Sequence, residues 1–300
     1  MKRHRRWTAA DIPDQTGRVA IVTGANAGLG LENARVLGRK GCRVVLACRD
    51  EGRATAARER LESETGWAEF DTMRLDLASL ASVDEFASRF REGYERLDLL
   101  VNNAGVMFPP FDRTGDGFEL QFGVNYLGHF ALTGLLLGTL ERTPGARVVT
   151  LASMAHRGAR IDFESFTGET PYRRFRAYRQ SKLACLMFAL ELDRRLRAAD
   201  SRTLSVAAHP GGTATDLQRH NELMRVGARV VAMPVEQGAL SQLRAQTDPE
   251  VKGGAYIGPD GAFEFRGYPA PAQVDPAARD AATRERLWTE SETLTGVRYP

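Results

Sequence analysis

The 300-residue chain is poor in cysteine and histidine and has no long apolar run, and each scarcity closes off a class of function. Its three cysteines, Cys42, Cys48 and Cys185, are an odd number, lie in apolar segments and lack C-x-x-C spacing. A disulfide framework and a structural zinc are therefore not expected, and a reducing, cytoplasmic setting is. The five histidines form no ligand pair at helix-face spacing, so no metal is expected either. No stretch approaches the roughly 18 consecutive apolar residues of a membrane span, and the basic opening "MKRHRR" has no apolar run behind it. Neither an integral membrane segment nor a signal peptide is read, and a soluble protein is expected. Lys and Arg number 41 against 38 Asp and Glu, a net +3 that gives no sign of a nucleic-acid partner.

What the chain does have is alternation. Short runs rich in Val, Ile and Leu at 18–24, 42–48, 68–76, 97–105, 146–153, 204–211 and 253–259 are separated by longer segments of helical period. Near-continuous apolar strands with helical connections imply a parallel sheet buried on both faces. Right-handed crossovers then give an α/β, doubly wound, seven-stranded sheet with helices on both sides. With 43% hydrophobic residues and no repeat or low-complexity linker, the chain reads as one domain over 16–300 behind a basic tail at 1–15. The segment "YPAPAQVDPAARDAATRE" looks loosely packed. In such sheets ligands lie beyond the carboxyl ends of the strands, so residues just after strands carry the interest.

The first strand runs into "TGANAGLG", residues 23–30. Its glycines permit a tight turn and let a pyrophosphate approach backbone amides at the start of the next helix. The spacing is Gly-x-x-x-Gly-x-Gly. Further on stand "NNAG" at 102–105, Asn125 in "FGVNYLGHF", Ser153 at a strand end, Tyr178 and Lys182 in "YRQSK", and "HPGGTATD" from His209. Tyr178 and Lys182, four apart, share one face of a helix. Together these motifs, in this order over about residues 16–260, resemble the short-chain dehydrogenase/reductase family.

The resemblance implies a Rossmann fold and hydride transfer between a nicotinamide and a carbonyl or alcohol. It assigns Tyr178 as acid/base, Lys182 as its modulator and a ribose ligand, Ser153 as substrate orienter and Asn125 as support for a proton relay. The chemistry suits the residue types: a phenol ordinarily ionises near pH ~10, and a cation one helical turn away favours the phenolate. By the same resemblance Gly24, Asn26, Gly28, Leu29, Gly30, Asp76, Leu77, Asn103, Ala104, Gly105, Pro210, Gly211, Thr213 and Thr215 line the cofactor. Asp76 reads equally well as a helix cap. His209 and His129 read as structural.

The second strand ends "LACRD". The acid that would hold an NAD ribose is replaced by Cys48, followed by Arg49, a cation suited to a 2′-phosphate, with Asp50 at a helix cap position. NADP(H) is thus the expected cofactor, with NAD(H) still open. Ser153 and Tyr178 are twenty-five positions apart, about twice the family's usual separation, so an insertion falls at about 154–177. Its "AH", "IDF" and the following "AYRQSKLA" resemble the retinol dehydrogenase, WW-domain oxidoreductase and protochlorophyllide reductase group. No anchor and no WW domain is read, so those substrates do not carry over.

Ile161, Phe163, Phe166, Tyr172 and Phe175 are expected to form an apolar wall with Met107, Phe108 and His156. Leu217 and Met224 of a substrate loop at about 212–233 would join them. A bulky, largely apolar small-molecule carbonyl or alcohol is the expected substrate. Two alternatives stay open: a dinucleotide-binding regulatory or scaffold protein without turnover, and a dehydratase or epimerase using the same site. A homo-oligomer paired through helices at 114–140 and 175–198 is a further expectation of the resemblance.

Overall fold

The computed structural model describes residues 6–168, 171–213 and 232–299. All seven expected strands form: β1 Val19–Thr23, β2 Arg43–Cys48, β3 Phe70–Arg74, β4 Leu99–Asn102, β5 Arg147–Leu151, β6 Leu204–Ala208 and β7 Tyr256–Pro259. An eighth, β8 Pro269–Pro271, was not expected, because proline cannot donate to a ladder. It escapes that penalty by lying at the sheet edge, antiparallel to β7. The sheet order is β3-β2-β1-β4-β5-β6-β7-β8, with every pair before the last one parallel. The order reverses between β1 and β4, and in sheets of this kind ligands bind beyond the strands' carboxyl ends at that point.

The helices are α1 Gly28–Arg39, α2 Glu51–Thr65, α3 Leu80–Gly93, α4 Leu120–Phe122, α5 Gly128–Glu141, α6 Arg174–Ala198, α7 Val235–Thr247, α8 Pro276–Arg279 and α9 Ala281–Thr295. Strands β1, β4 and β5 are buried along their whole length, which explains their unbroken apolar runs. One core lies under α3, α5 and α6, and a second lies under α1, α2 and part of α7.

The stretch read as loose is packed, and so is part of the N-terminal tail. Trp7 and Ile12 of the N-terminal segment join the second core. The Pro/Ala-rich segment supplies β8, α8 and the start of α9, with Asp275 and Asp280 capping the two helices. Among the described residues no helix is long and apolar enough to cross a membrane. No group of three or more His, Cys, Asp or Glu there could hold a metal ion.

Candidate active site

Tyr178 and Lys182 sit in the second turn and third turn of α6, whose 25 residues make it the longest described helix. Both are buried, Tyr178 with 8% of its surface exposed, and the Lys182 ammonium lies 6.0 Å from the Tyr178 ring centre. Lys182 Nζ donates to the Leu151 carbonyl at the end of β5 at 2.9 Å. Two residues later Ser153 ends the strand exit and caps a short 3-10 turn, its hydroxyl accepting from the Ala155 amide at 3.2 Å. The hydroxyl proton of Ser153 is left for another acceptor.

Asn125 lies in a π-helical turn, Gly123–Leu127, between α4 and α5. Such turns widen a helix locally and concentrate at functional sites. Its side chain is fully engaged: Oδ1 accepts from the Val106 amide at 2.7 Å, and Nδ2 donates to the Val106 carbonyl at 3.0 Å and to Ser181 Oγ at 2.9 Å. It thereby ties the β4 exit to α6. Its carbonyl accepts from His129 Nδ1 at 3.0 Å and from the Cys185 thiol at 3.2 Å. A side chain on Gly105 would stand 3.0 Å from Asn125 Oδ1 and 3.7 Å from Lys182 Nζ, so the missing Cβ keeps this corner open.

His129 is more than a packed residue. With Nδ1 donating to a carbonyl, Nε2 is the acceptor, and it takes the Thr23 hydroxyl at 2.9 Å. Burial pushes its pKa down to about 4, against the backbone bond from Asn125 that raises it, so the ring is neutral. Thr23 Oγ also accepts from the Asn103 and Ala104 amides, each at 2.9 Å. The first glycine loop, the β4 exit and the π turn thus share one hydrogen-bonded frame. Thr23 opens the glycine-loop motif and His129 was read as structural, but the bond between them joins positions far apart in the chain and leaves no mark in the sequence. Gln121 was missed for the same reason: its buried amide accepts from the Phe108 amide and donates to Tyr172 and to the Arg174 carbonyl.

The dinucleotide cradle can be tested on this geometry. The cap residue of α1, Ala27, offers no side-chain acceptor, so the first-turn amides of Gly28, Leu29 and Gly30 are left for an anion. A Cβ on Gly30 would sit 2.5 Å from the Gly24 carbonyl and 2.6 Å from Asn103 Nδ2. The loop is therefore drawn against the β4 exit as close as backbone allows. Asn103 is wholly used in this contact, donating to the Thr23 carbonyl at 2.8 Å and accepting from Gln242 at 3.2 Å. These residues fit a pyrophosphate.

Cys48 is buried, and burial raises its thiol to about 11, against the backbone of Ala25 and Asn26, which lowers it. Asp50 caps α2 through the Arg53 amide at 2.9 Å. Arg49 is exposed and has no ion-pair partner among the described residues. Asp76 closes a turn on the Ala78 amide at 3.0 Å, while Ser79 caps α3. Leu77 is buried against Gly128. After β6, Pro210 and Gly211 are half-buried, and Thr213 is buried with its hydroxyl donating to the Pro210 carbonyl at 2.7 Å. Thr215, Leu217 and Met224 lie outside the described residues.

The expected apolar wall divides. Phe108, held at φ 58°, meets Tyr178 edge-on at 5.2 Å and Phe175 at 5.7 Å. Met107 is half-buried and Phe175 is 58% exposed. Phe166 is buried and stacks on Phe122 at 4.1 Å, with Phe163 against it and Ile161 packed on the same core. These three residues fasten the insertion to the domain and do not face the cleft. Tyr172 bridges Gln121 and the Pro109 carbonyl.

His156, expected to touch substrate, is fully buried: Nδ1 donates to the Ser153 carbonyl at 2.6 Å and Nε2 accepts from the Asp275 amide at 3.3 Å. It supports Ser153 from behind. A surface recess of about 420 Å³ beside Lys40 and Trp67 is at the opposite end of α1 from the glycine loop and has no part in this site.

The profile of the short chain dehydrogenase family matches residues 18–226. Human retinol dehydrogenase 13 is 39% identical over 97% of this chain and 87% of its own length. Mouse polyprenol dehydrogenase is 42% identical over 95% of this chain and 86% of its own. A crystal structure of an uncharacterised protein from Mycobacterium paratuberculosis, 40% identical, superposes with a TM-score of 0.83 over 98% of this chain and 99% of that one. A Pseudomonas aeruginosa RhlG/NADP complex, 24% identical with a TM-score of 0.66 over 84% of this chain and 98% of that one, shares the fold.

Proposed function

The chain belongs to the short chain dehydrogenase family, and from that premise we propose that it is an NADP(H)-dependent oxidoreductase acting on a bulky, largely apolar carbonyl or alcohol. The bound dinucleotide supplies the hydride or accepts it. The observation that carries the reading is the tie between α6 and the β5 exit, Lys182 Nζ on the Leu151 carbonyl, which supports Tyr178, one turn before Lys182, and Ser153, two residues after Leu151, acting in one site. In the reducing direction Tyr178 gives its phenolic proton to the carbonyl oxygen, and Ser153 donates its hydroxyl to the same oxygen and orients it. The Lys182 cation stabilises the phenolate left behind. Asn125, held by Val106 and Ser181, keeps the relay end of the site in place.

The preference for NADP(H) rests on Arg49, an exposed cation without an ion-pair partner among the described residues, beside a buried Cys48 and an Asp50 spent on a cap. Phe108 and Phe175 beside Tyr178 favour apolar substrates, and relatives named for retinol and polyprenol point the same way. Steady-state kinetics with NADPH and NADH on short and long aliphatic, aromatic and polycyclic carbonyls tests both parts. Expected are a preference for NADPH that Arg49→Ala weakens and a rise in kcat/KM with apolar size. Equal binding of NADH, or a preference for sugars and hydroxy acids, would overturn the respective part.

A further inference from the structure

The turn between β7 and β8 holds two consecutive non-glycine residues in the left-handed region, Phe263 at φ 54° and Glu264 at φ 58°. Such backbone persists only where the surroundings over-determine it, and it gathers at places where geometry matters to function. Phe263 is no part of the cause, being 89% exposed. The Glu264 carboxylate is. Its Oε2 accepts from His209 Nε2 at 3.0 Å and pairs with the Arg157 guanidinium, and its Oε1 accepts from the Gln273 amide at 2.8 Å. Next to it the Phe265 carbonyl accepts from the Gly212 amide at 2.8 Å, and its ring covers Gly212 so closely that a Cβ there would lie 2.1 Å away.

These contacts join segments that carry opposite sides of the cleft. Arg157 lies four residues after Ser153, and its carbonyl receives the guanidinium of Arg179, the neighbour of Tyr178. Arg179 holds the Ala155 carbonyl as well, at 3.2 Å. His209 leads into the Pro210–Thr213 loop, and its Nδ1 accepts from the Gly211 amide at 3.2 Å. That bond fixes the tautomer, so Nε2 is the nitrogen that donates to Glu264. A continuous run of contacts thus leads from the catalytic helix through Arg179, Arg157, Glu264 and His209 to the Gly211 amide.

We propose that Glu264 is a positioning residue that sets the loop after β6 against the Ser153–Arg157 segment, and through them the distance across which hydride passes. The inference rests on the oxidoreductase reading given above. Glu264 touches no reacting atom, so its loss should misplace the two walls and leave the pyrophosphate cradle intact. Misplacement of about 1 Å between reacting groups costs on the order of a hundredfold in rate.

Glu264→Gln keeps the shape and one acceptor oxygen but loses the other acceptor and the charge opposite Arg157, whereas Glu264→Ala loses all three contacts. Expected for Glu264→Ala are a fall in kcat of about ten- to a hundredfold, a larger primary deuterium isotope effect with deuterated NADPH, and NADPH binding within about threefold of the parent. Glu264→Gln should fall between the parent and Glu264→Ala in both kcat and isotope effect. Amide hydrogen exchange at Gly211 and Gly212, read without any substrate, should quicken in Glu264→Ala. Unchanged exchange there would overturn the proposal whether or not the protein reduces carbonyls. Unchanged kcat and isotope effect in an active parent would overturn it as well. Should Glu264→Ala not fold, Glu264→Gln carries the same test, because charge loss alone must still lower kcat and raise the isotope effect.

Discussion

At the scale of single residues, Tyr178 and His129 make opposite demands on a proton. In the proposed role Tyr178 gives one up. Tyr178→Phe removes the hydroxyl and keeps the ring that packs on Phe108, so turnover should drop by about a hundredfold or more while NADPH still binds. Turnover within a few-fold of the parent would show that another group is the acid. His129 must never take one up, because its Nε2 is the acceptor for Thr23. Its folded pKa of about 4 is set first by burial, then raised by the Asn125 bond and lowered by Lys182. An unfolded histidine titrates near pH ~6.5. Below that value the unfolded chain binds the proton that the folded chain refuses, so stability falls as pH drops from 6.5 towards 4 and is intact above. His156 and His209 are also lowered by burial and add to the same trend. Denaturant midpoints should therefore decline between pH 7 and 5. The decline should be shallower in His129→Gln, by at most about 1.4 kcal/mol per pH unit for the one proton removed. Equal slopes in parent and variant would show that His129 titrates normally.

At the scale of elements, the strands were legible because burial on both faces leaves a signature of consecutive apolar residues, as in Ile21 and Val22 or Val148 and Val149. Helix α1 was legible through its glycines, and β8 was not, because a strand with two prolines is stable only at an edge that the sequence does not reveal. The π turn around Asn125 leaves no sequence mark at all, since it depends on one extra residue accommodated by tertiary contacts. Motif residues of the site were readable for their chemistry, and their supports were not. His156 shows the limit: proximity to Ser153 in sequence suggested the cleft, while the chain turns it inward to the Ser153 carbonyl. The glycine loop offers a test at this scale. Gly30→Ala puts a methyl group within 2.6 Å of both the Gly24 carbonyl and Asn103 Nδ2, backbone on one side and an amide bonded to the Thr23 carbonyl on the other. Neither yields easily, so overpacking should cost about 1–3 kcal/mol in a thermal or urea melt. NADPH affinity should fall tenfold or more with it, because the loop can no longer close on the β4 exit. A variant with parental affinity would show that the cradle has slack the close contacts deny.

At the scale of the whole molecule, what covers the two long helices decides how the protein exists in solution. Pairing across α5 and α6 was the expectation for a homo-oligomer, and the structure places the chain's own C-terminal segment on that surface. Tyr299 donates to the Phe130 carbonyl at 2.7 Å and fills the space left by Gly134, where a Cβ would meet Val297 at 2.6 Å. Trp288 of α9 packs edge-on to Phe130 at 5.2 Å and stacks on Phe188 at 5.8 Å. Tyr126 and Ser291 share a buried hydrogen bond at 2.7 Å. Around this aromatic cluster Glu191 takes Arg194, Arg195 and Arg284, and Arg195 also holds Glu285. A second copy would have to displace α9 and the aromatic cluster, whose burial is worth several kcal/mol. The chain should therefore run as a 33.0 kDa monomer in light scattering, or associate through another face. Trp288→Ala should destabilise it by about 3–5 kcal/mol. By baring Phe130 and Phe188, it should also turn the monomer into a species whose mass rises with concentration. A parental dimer in which hydrogen exchange maps protection to the outer faces of α5 and α6 would refute this arrangement, since the same surface cannot be held by Tyr299 and by a partner at once.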